Sequence, residues 1–315
     1  MSSKIENRQK FLNPFSLKVY QTVLCIVRSR KIKDKNNNSH VPHFFIIGSG
    51  RCGSTLLRTL LIKNPSVHIP PEFPSLINII KKYYRYKSCD WNDLISILIG
   101  ELATNKSFVF WNIDLEGLRT RLLSFSDKDQ SLEAIINLIY ESHRLSNKPD
   151  SRIIGDKTTS NALRLKWINY LYPEAKIINL VRDGRAVARS YINSNLMSNS
   201  EDIIRKWNES ICEAEKFKRK YKTRDNFITI KYEDLVDKPQ LVCNFIYDFI
   251  GVSHFDIKTK IELPNDDLSL HHHQNVHLPI TNHQSKKWMT FFSKSELQNL
   301  SKKMKSNLEL LGYEL

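Results

Sequence analysis

The sequence predicts an α/β fold with a mainly parallel central sheet flanked by helices, and three observations predict it. Short apolar runs bounded by turn residues alternate with segments whose apolar residues recur at helical spacing. A glycine-rich turn separates the first such run from the first helical segment, the strand-loop-helix arrangement of a βαβ unit. The chain has 315 residues, 41% apolar and 26% charged, which is the composition of a globular chain and excludes a disordered or collagenous one. A chain that repeats strand and helix buries both by laying helices on the two faces of a parallel sheet.

Each element has its own signal. Phe44-Phe45-Ile46-Ile47 is an apolar run ending in glycine, and Leu56, Leu57, Leu60 and Leu61 then share one helical face until Asn64-Pro65 stops the helix. Helical spacing returns at Leu132, Ile135, Ile136, Ile139 and Tyr140, and again at Ile203, Ile204, Trp207, Ile211 and Ala214. Between and after them Arg152-Ile153-Ile154, Lys176-Ile177-Ile178-Asn179-Leu180-Val181 and Phe227-Ile228-Thr229-Ile230 read as buried strands. Leu241, Val242, Phe245, Ile246, Phe249 and Ile250 form a helix that Gly251 closes, and Leu297, Leu300, Met304, Leu308 and Leu311 form the last one. Trp91, Trp111, Trp167 and Trp207 are expected to pack in the core or between helices.

Charge and cysteine usage limit the function classes. The net charge is +15, and residues 1–40 hold nine Lys/Arg against Glu6 and Asp34, so a solvated basic arm and linker are expected to precede a domain over 41–315. The apolar stretch 17–27 contains Lys18 and Gln21 and is too short to span a bilayer, so a cytoplasmic chain is expected, with the arm as a candidate peripheral membrane contact. Nucleic acid is not expected as a partner, because no helix-turn-helix, zinc-finger or aromatic-basic RNA motif is present. Cys25, Cys52, Cys89, Cys212 and Cys243 are odd in number and show no CxxC spacing, which suggests neither a disulfide framework nor a metal site. His271, His272, His273, His277 and His283 cluster without a helix-spaced ligand pattern and read as a polar loop, with His277 and His283 as candidate contacts to a ligand.

The turn after the first strand carries the chemistry. In Gly48-Ser49-Gly50-Arg51-Cys52-Gly53-Ser54-Thr55 two glycines five positions apart are followed by two hydroxyl residues at a helix start, the register of a phosphate-cradling loop. The lysine of a nucleoside-triphosphate loop is replaced by Ser54, so the loop suits a single 5′-phosphate-like group, and Arg51 can add a planar fork. A second strand-to-helix junction, Val181-Arg182-Asp183-Gly184-Arg185-Ala186-Val187-Ala188-Arg189-Ser190, places Arg182 at a strand end and Ser190 two turns into a helix.

With these two motifs the sequence resembles the sulfotransferases that use 3′-phosphoadenosine 5′-phosphosulfate (PAPS), across residues 44–312. The resemblance implies a P-loop-like sulfotransferase fold and a donor held by Ser49, Gly50, Arg51, Cys52, Gly53, Ser54 and Thr55, with Arg182 and Ser190 on the 3′-phosphate. It implies that Glu72, in Pro70-Pro71-Glu72-Phe73-Pro74, is the general base, placed as in tyrosylprotein sulfotransferases and bacterial relatives. Lys157 would neutralise the leaving group together with Arg51, and Tyr232 would pack beside the adenine. Lys286, Lys287 and Trp288, after Leu278-Pro279-Ile280, would fold over the donor. PAPS is then the one cofactor, and the acceptor is a hydroxyl on a small alcohol, a phenol, a glycan or a peptide tyrosine, an acidic one being favoured by the positive balance. Departures from the family pattern, Cys52 and Ser54 for commoner Ser and Thr and Gly155-Asp156-Lys157 without the Asn-Lys-Asp-Pro wording of the tyrosylprotein enzymes, leave the acceptor open. The competing reading is a P-loop kinase-like phosphotransferase, which the missing lysine opposes.

Overall fold

The computed structural model describes residues 30–33, 41–259, 264, 266 and 287–315. The apolar stretch 17–27, the linker after Lys33, the 278–280 run, the five clustered histidines and Lys286 lie outside the described residues. The described chain divides into two compact units. One contains residues 30–33, Ser75–Lys106 and Asp114–Ile139; the other contains residues 41–74, Ser107–Ile113 and the described residues from 140 on.

The second unit holds a five-stranded sheet: β1 (Phe44–Gly48), β2 (Val67–His68), β3 (Ile153–Asp156), β4 (Lys176–Val181) and β5 (Phe227–Lys231). The spatial order is β2-β3-β1-β4-β5 and every pairing is parallel. β1 is buried along its whole length, as its unbroken apolar run requires of a central strand. β2 is only two residues long and carries no periodicity to read. The register sets Ile46 beside Ile178 and Gly48 beside Leu180, so the turns that leave β1 and β4 emerge next to each other. Chain direction across the sheet changes sides between these two strands, and at such a point the diverging loops open a crevice at the strand carboxyl ends.

Two apolar clusters clamp the sheet. Leu57 and Leu61 from helix Ser54–Leu61 join Ile246, Tyr247 and Ile250 from helix Pro239–Ile250 against Phe44, Ile46 and Ile178. The other cluster packs Val187 and Tyr191 of helix Gly184–Asn193 with Trp207, Ile211, Leu300, Met304 and Leu308. Each buried aliphatic side chain contributes about 1.5–3 kcal/mol, so both helices that follow the two turns are fixed by packing. The ends are finished locally: Gly251 closes its helix at φ 80° and a Ser293–Glu296 capping box opens helix Lys294–Leu310.

The first unit is helical, with Leu76–Tyr86, Trp91–Thr104 and Leu115–Leu123. Arg30, placed by its charge in a solvated arm, is instead tied into this unit: it donates to Gln130 Oε1 at 3.0 Å and to the Lys87 carbonyl at 2.8 Å, and its guanidinium faces Trp91. Three of the four tryptophans expected to pack, Trp91, Trp111 and Trp207, are buried, whereas Trp167 is 36% exposed. The short helix Leu165–Leu171 turns Leu165, Ile168 and Leu171 inward and leaves Trp167 on the opposite side.

Candidate active site

The turn after β1 is left-handed at Gly50 (φ 74°), Arg51 (φ 53°) and Gly53 (φ 96°). Glycine is needed at Gly53 for a second reason, since a Cβ there would lie 2.3 Å from Cδ2 of Tyr232. Arg51 has no such exemption, and a left-handed non-glycine residue costs roughly 1–2 kcal/mol. Contacts from β4's side offset that cost: its carbonyl accepts from Arg182 Nη1 at 3.2 Å and its Nε donates to Ser190 Oγ at 3.2 Å. Ser49 is held similarly, its carbonyl accepting from Tyr191 at 3.1 Å. Helix Ser54–Leu61 starts without a side-chain cap, so its first N–H groups and the turn above them form an anion nest. Ser54 is buried and Thr55 half-buried at that helix start.

Cys52 has a different orientation from its neighbours. Its side chain is fully buried in the apolar cluster behind the loop, and burial pushes the thiol pKa up, against the lowering expected of a cysteine at a helix start. Only its backbone faces the duty the motif implied for it.

Arg182 leaves the end of β4 with its guanidinium 4.1 Å from the ring centroid of Tyr232. Its Nε is buried and without a hydrogen-bond partner, a loss of about 1–3 kcal/mol for a group of this kind unless a ligand supplies the acceptor. The orphaned donor, the left-handed cradle and the uncapped helix start fit a nucleotide carrying phosphates at both ends. Trp288 is buried against Arg185, 4.1 Å from its guanidinium, and Lys287 is half-buried beside it at the start of a short 3-10 helix.

Glu72 and Lys157 meet beside the carboxyl end of β3, the strand next to β1. The Lys157 side chain is fully buried, the reverse of an ordinary surface lysine, and its Nζ lies 3.5 Å from Oε1 of Glu72, whose side chain is 41% exposed. Two hydrogen bonds fix the backbone around Glu72: its carbonyl accepts from Trp111 Nε1 at 3.1 Å, and the next N–H, of Phe73, donates to Thr158 Oγ1 at 2.7 Å. Thr158 in turn donates to Asp156 Oδ2 at 2.9 Å. Asp156 also accepts from the Thr158 N–H at 2.9 Å, Asn161 Nδ2 at 2.9 Å and Tyr140 Oη at 2.8 Å. Burial pushes the Asp156 carboxyl pKa up, and these four donors oppose that shift. Phe73 is wedged 4.9 Å from Trp111 and 5.7 Å from Tyr140, so its neighbour Glu72 sits on a rigid edge. Arg51 belongs to both halves: burial lowers its pKa, and the Glu72 charge is among the smaller influences that raise it.

The structure therefore brings together Arg51, the glycine loop, Arg182, Ser190 and Tyr232 at one end and Glu72 with Lys157 at the other. Sequence reasoning did not assign a role here to Thr158, Asp156, Tyr140 or Trp111. The first two adjoin Lys157 in the chain, and that adjacency was the available signal; Trp111 and Tyr140 looked like core residues and are core residues whose polar tips are used. Behind Trp111 lies a buried pair, His68 Nε2 and His143 Nδ1 at 2.8 Å, with the His143 ring 5.1 Å from the indole.

A model described as the sulfotransferase family matches residues 42–256. Protein-tyrosine sulfotransferase A of Caenorhabditis elegans is 26% identical over 261 residues, 77% of this chain and 56% of that protein. Protein-tyrosine sulfotransferase 1 of Danio rerio is 24% identical over 248 residues, 76% of this chain and 58% of that protein. The chain thus spans little more than half the length of these curated relatives. Among solved structures, the sulfotransferase domain of a Synechococcus olefin synthase superposes with TM-score 0.58 at 22% identity, covering 91% of this chain and all (100%) of that one. The sulfotransferase domain from the curacin biosynthetic pathway gives TM-score 0.59 at 22% identity, covering 88% of this chain and 100% of that one. Both show the same fold.

Proposed function

This chain belongs to the sulfotransferase family, and from that premise we propose that it transfers a sulfuryl group from PAPS to a hydroxyl acceptor. The observation that carries the proposal is the pairing of the buried Lys157 with the half-exposed Glu72 at 3.5 Å, at the end of the strand that neighbours the one leading into the anion nest. When bound, PAPS supplies an activated sulfuryl group joined to a phosphate that can leave.

The residues divide the work. Ser49, Gly50, Arg51, Gly53, Ser54 and Thr55, with the Cys52 backbone, cradle the 5′ end, and Arg182 with Ser190 takes the 3′-phosphate. Tyr232, held between Gly53 and Arg182, offers a ring face to the base, and Lys287 with Trp288 covers the nucleotide. Glu72 orients the acceptor hydroxyl and accepts its proton on Oε1 or Oε2. Lys157 keeps its ammonium where negative charge grows on the departing oxygen, and Arg51 adds a second cation from the loop; such preorganised charges are worth most inside a water-poor crevice.

The acceptor is the finer part of the reading. A tyrosine in an acidic peptide is the first to test, since the curated relatives are named protein-tyrosine sulfotransferases, and acidic glycans and simple phenols follow. The binding test is calorimetry with 3′-phosphoadenosine 5′-phosphate and with AMP. The bisphosphate should bind far more tightly, and Arg182→Ala should remove on the order of 1.5–3 kcal/mol of that affinity. Equal affinities of the two nucleotides would remove Arg182 and Ser190 from the account.

A further inference from the structure

Helix Gly184–Asn193 carries two arginines one turn apart, Arg185 and Arg189, and the fold treats them differently. Arg185 is saturated: it donates to Asp183 Oδ1 at 3.0 Å and Oδ2 at 2.8 Å, to Ser301 Oγ at 3.3 Å and to the Glu314 carbonyl at 2.5 Å. Arg189 is half-buried, and its Nε is shut off from water without a hydrogen-bond partner. Among the described residues no carboxylate pairs with it; its guanidinium rests 5.7 Å from the ring centroid of Phe291. A solvated surface arginine would keep its Nε in water, and a structural one would find an acceptor as Arg185 does.

The surroundings of Arg189 show what is missing. The next residue is Ser190, whose hydroxyl is bonded to Arg51, and Arg51 is bonded through its carbonyl to Arg182. Burial first, and the positive charge of Arg182 second, hold the Arg189 pKa below its ordinary value. Arg182 likewise has a buried Nε with no partner. An anion bearing more than one charge would satisfy both orphaned donors and offset the repulsion between the two guanidiniums. Arg51 adds a third cation to the same neighbourhood.

We propose that Arg189 is a further ligand of the donor's 3′-phosphate, acting with Arg182 and Ser190, so that this chain grips that dianion with one arginine at a strand end and a second on the following helix. The inference rests on the donor assignment above. It makes Arg189 a determinant of selectivity for nucleotides with a 3′-phosphate over those without one.

The test is a calorimetric titration of 3′-phosphoadenosine 5′-phosphate and, separately, of AMP into the wild-type chain, Arg189→Ala and Arg189→Lys. Arg189→Ala should weaken the bisphosphate roughly 10–100-fold, the change expected from one charge-assisted hydrogen bond. AMP affinity should stay within about two-fold, which also reports that the variant is folded. Arg189→Lys should recover part of the loss, because charge returns without the planar fork. A variant that weakens both nucleotides equally would make Arg189 a scaffold residue, and one that weakens neither would place it outside the phosphate site; either overturns the proposal. If the wild-type chain does not itself distinguish the two nucleotides, the donor assignment fails with it, an outcome visible before any variant is made.

Discussion

The two halves of the crevice are assembled from different materials. At the ends of β1 and β4 the anion-holding half joins backbone, in left-handed turns, an uncapped helix start and glycines whose missing Cβ leaves room for a neighbour, to side chains carried by the same two junctions, Arg51, Arg182 and Ser190. Around Glu72 and Lys157 the other half is made of side chains, Trp111, Thr158, Asp156 and Tyr140, gathered from across the chain into one hydrogen-bonded frame. Backbone nests bind charge without discriminating among chemical steps, whereas in the proposed function a frame that fixes one carboxylate near one ammonium serves a proton and a leaving group. Damage to the first half should therefore appear in affinity and damage to the second in turnover.

Among the residues that flank Glu72, the largest expected effect is that of Lys157→Ala, which should slow single-turnover transfer by about 10²–10³, the scale of one preorganised charge, with product-nucleotide affinity little changed. Equal losses in both would move Lys157 into the anion-holding half and erase the contrast. Next comes Trp111→Phe, which keeps an aromatic ring against Phe73 and His143 but leaves the Glu72 carbonyl without its donor. A cost of up to about 1–3 kcal/mol is expected for a stranded, partly buried acceptor, and it should lower the turnover number more than donor affinity. Thr158→Val strands the Phe73 N–H in the same way and should behave alike.

That contrast also decides what could be read in advance. The loop Gly48–Thr55 and the Arg182–Ser190 junction are contiguous motifs whose residue types follow from the local backbone, and the structure places both at the strand ends where they were expected. Glu72 and Lys157 were legible only through a family resemblance, because nothing local marks a carboxylate whose partner lies 85 positions away. The frame behind them was not legible at all: Trp111 and Tyr140 carry the same apolar signal whether or not their N–H or O–H is used. Cys52 shows the limit of motif reading even in the clear half, since its side chain turned to the core.

A smaller effect probes the anion-holding half through stability. Gly53→Ala keeps the loop's sequence register but forces a Cβ into a left-handed residue and against Tyr232. The conformation alone should cost roughly 1–2 kcal/mol in denaturant unfolding, and nucleotide affinity should fall while any residual turnover per bound donor persists. An unchanged affinity would mean that the cradle is not where the nucleotide binds.

A pH effect concerns the histidines behind the frame. Burial, followed by the charge of neighbouring His143, lowers the His68 pKa to about 2, from an ordinary value of 6.5. The unfolded chain takes up a proton near the ordinary value while the folded chain does not, so this group's contribution is present above pH 6.5 and is lost as pH falls toward 2. The slope should not exceed about 1.4 kcal/mol per pH unit. Urea unfolding between pH 7 and pH 4 should show less acid sensitivity in His68→Gln than in the wild-type chain, and identical slopes would show that the pair does not titrate on unfolding.

The central claim, that one half of the crevice holds the donor and the other performs the proton transfer, is tested most directly by single-turnover transfer from saturating radiolabelled PAPS in Glu72→Gln. Glutamine preserves the shape of the residue and cannot accept the proton, so transfer should fall by roughly 10²–10⁴. Affinity for 3′-phosphoadenosine 5′-phosphate, measured in the same preparation, should remain at the wild-type level. Transfer within a few-fold of wild type, or a loss of nucleotide affinity that matches the loss of transfer, would contradict the account.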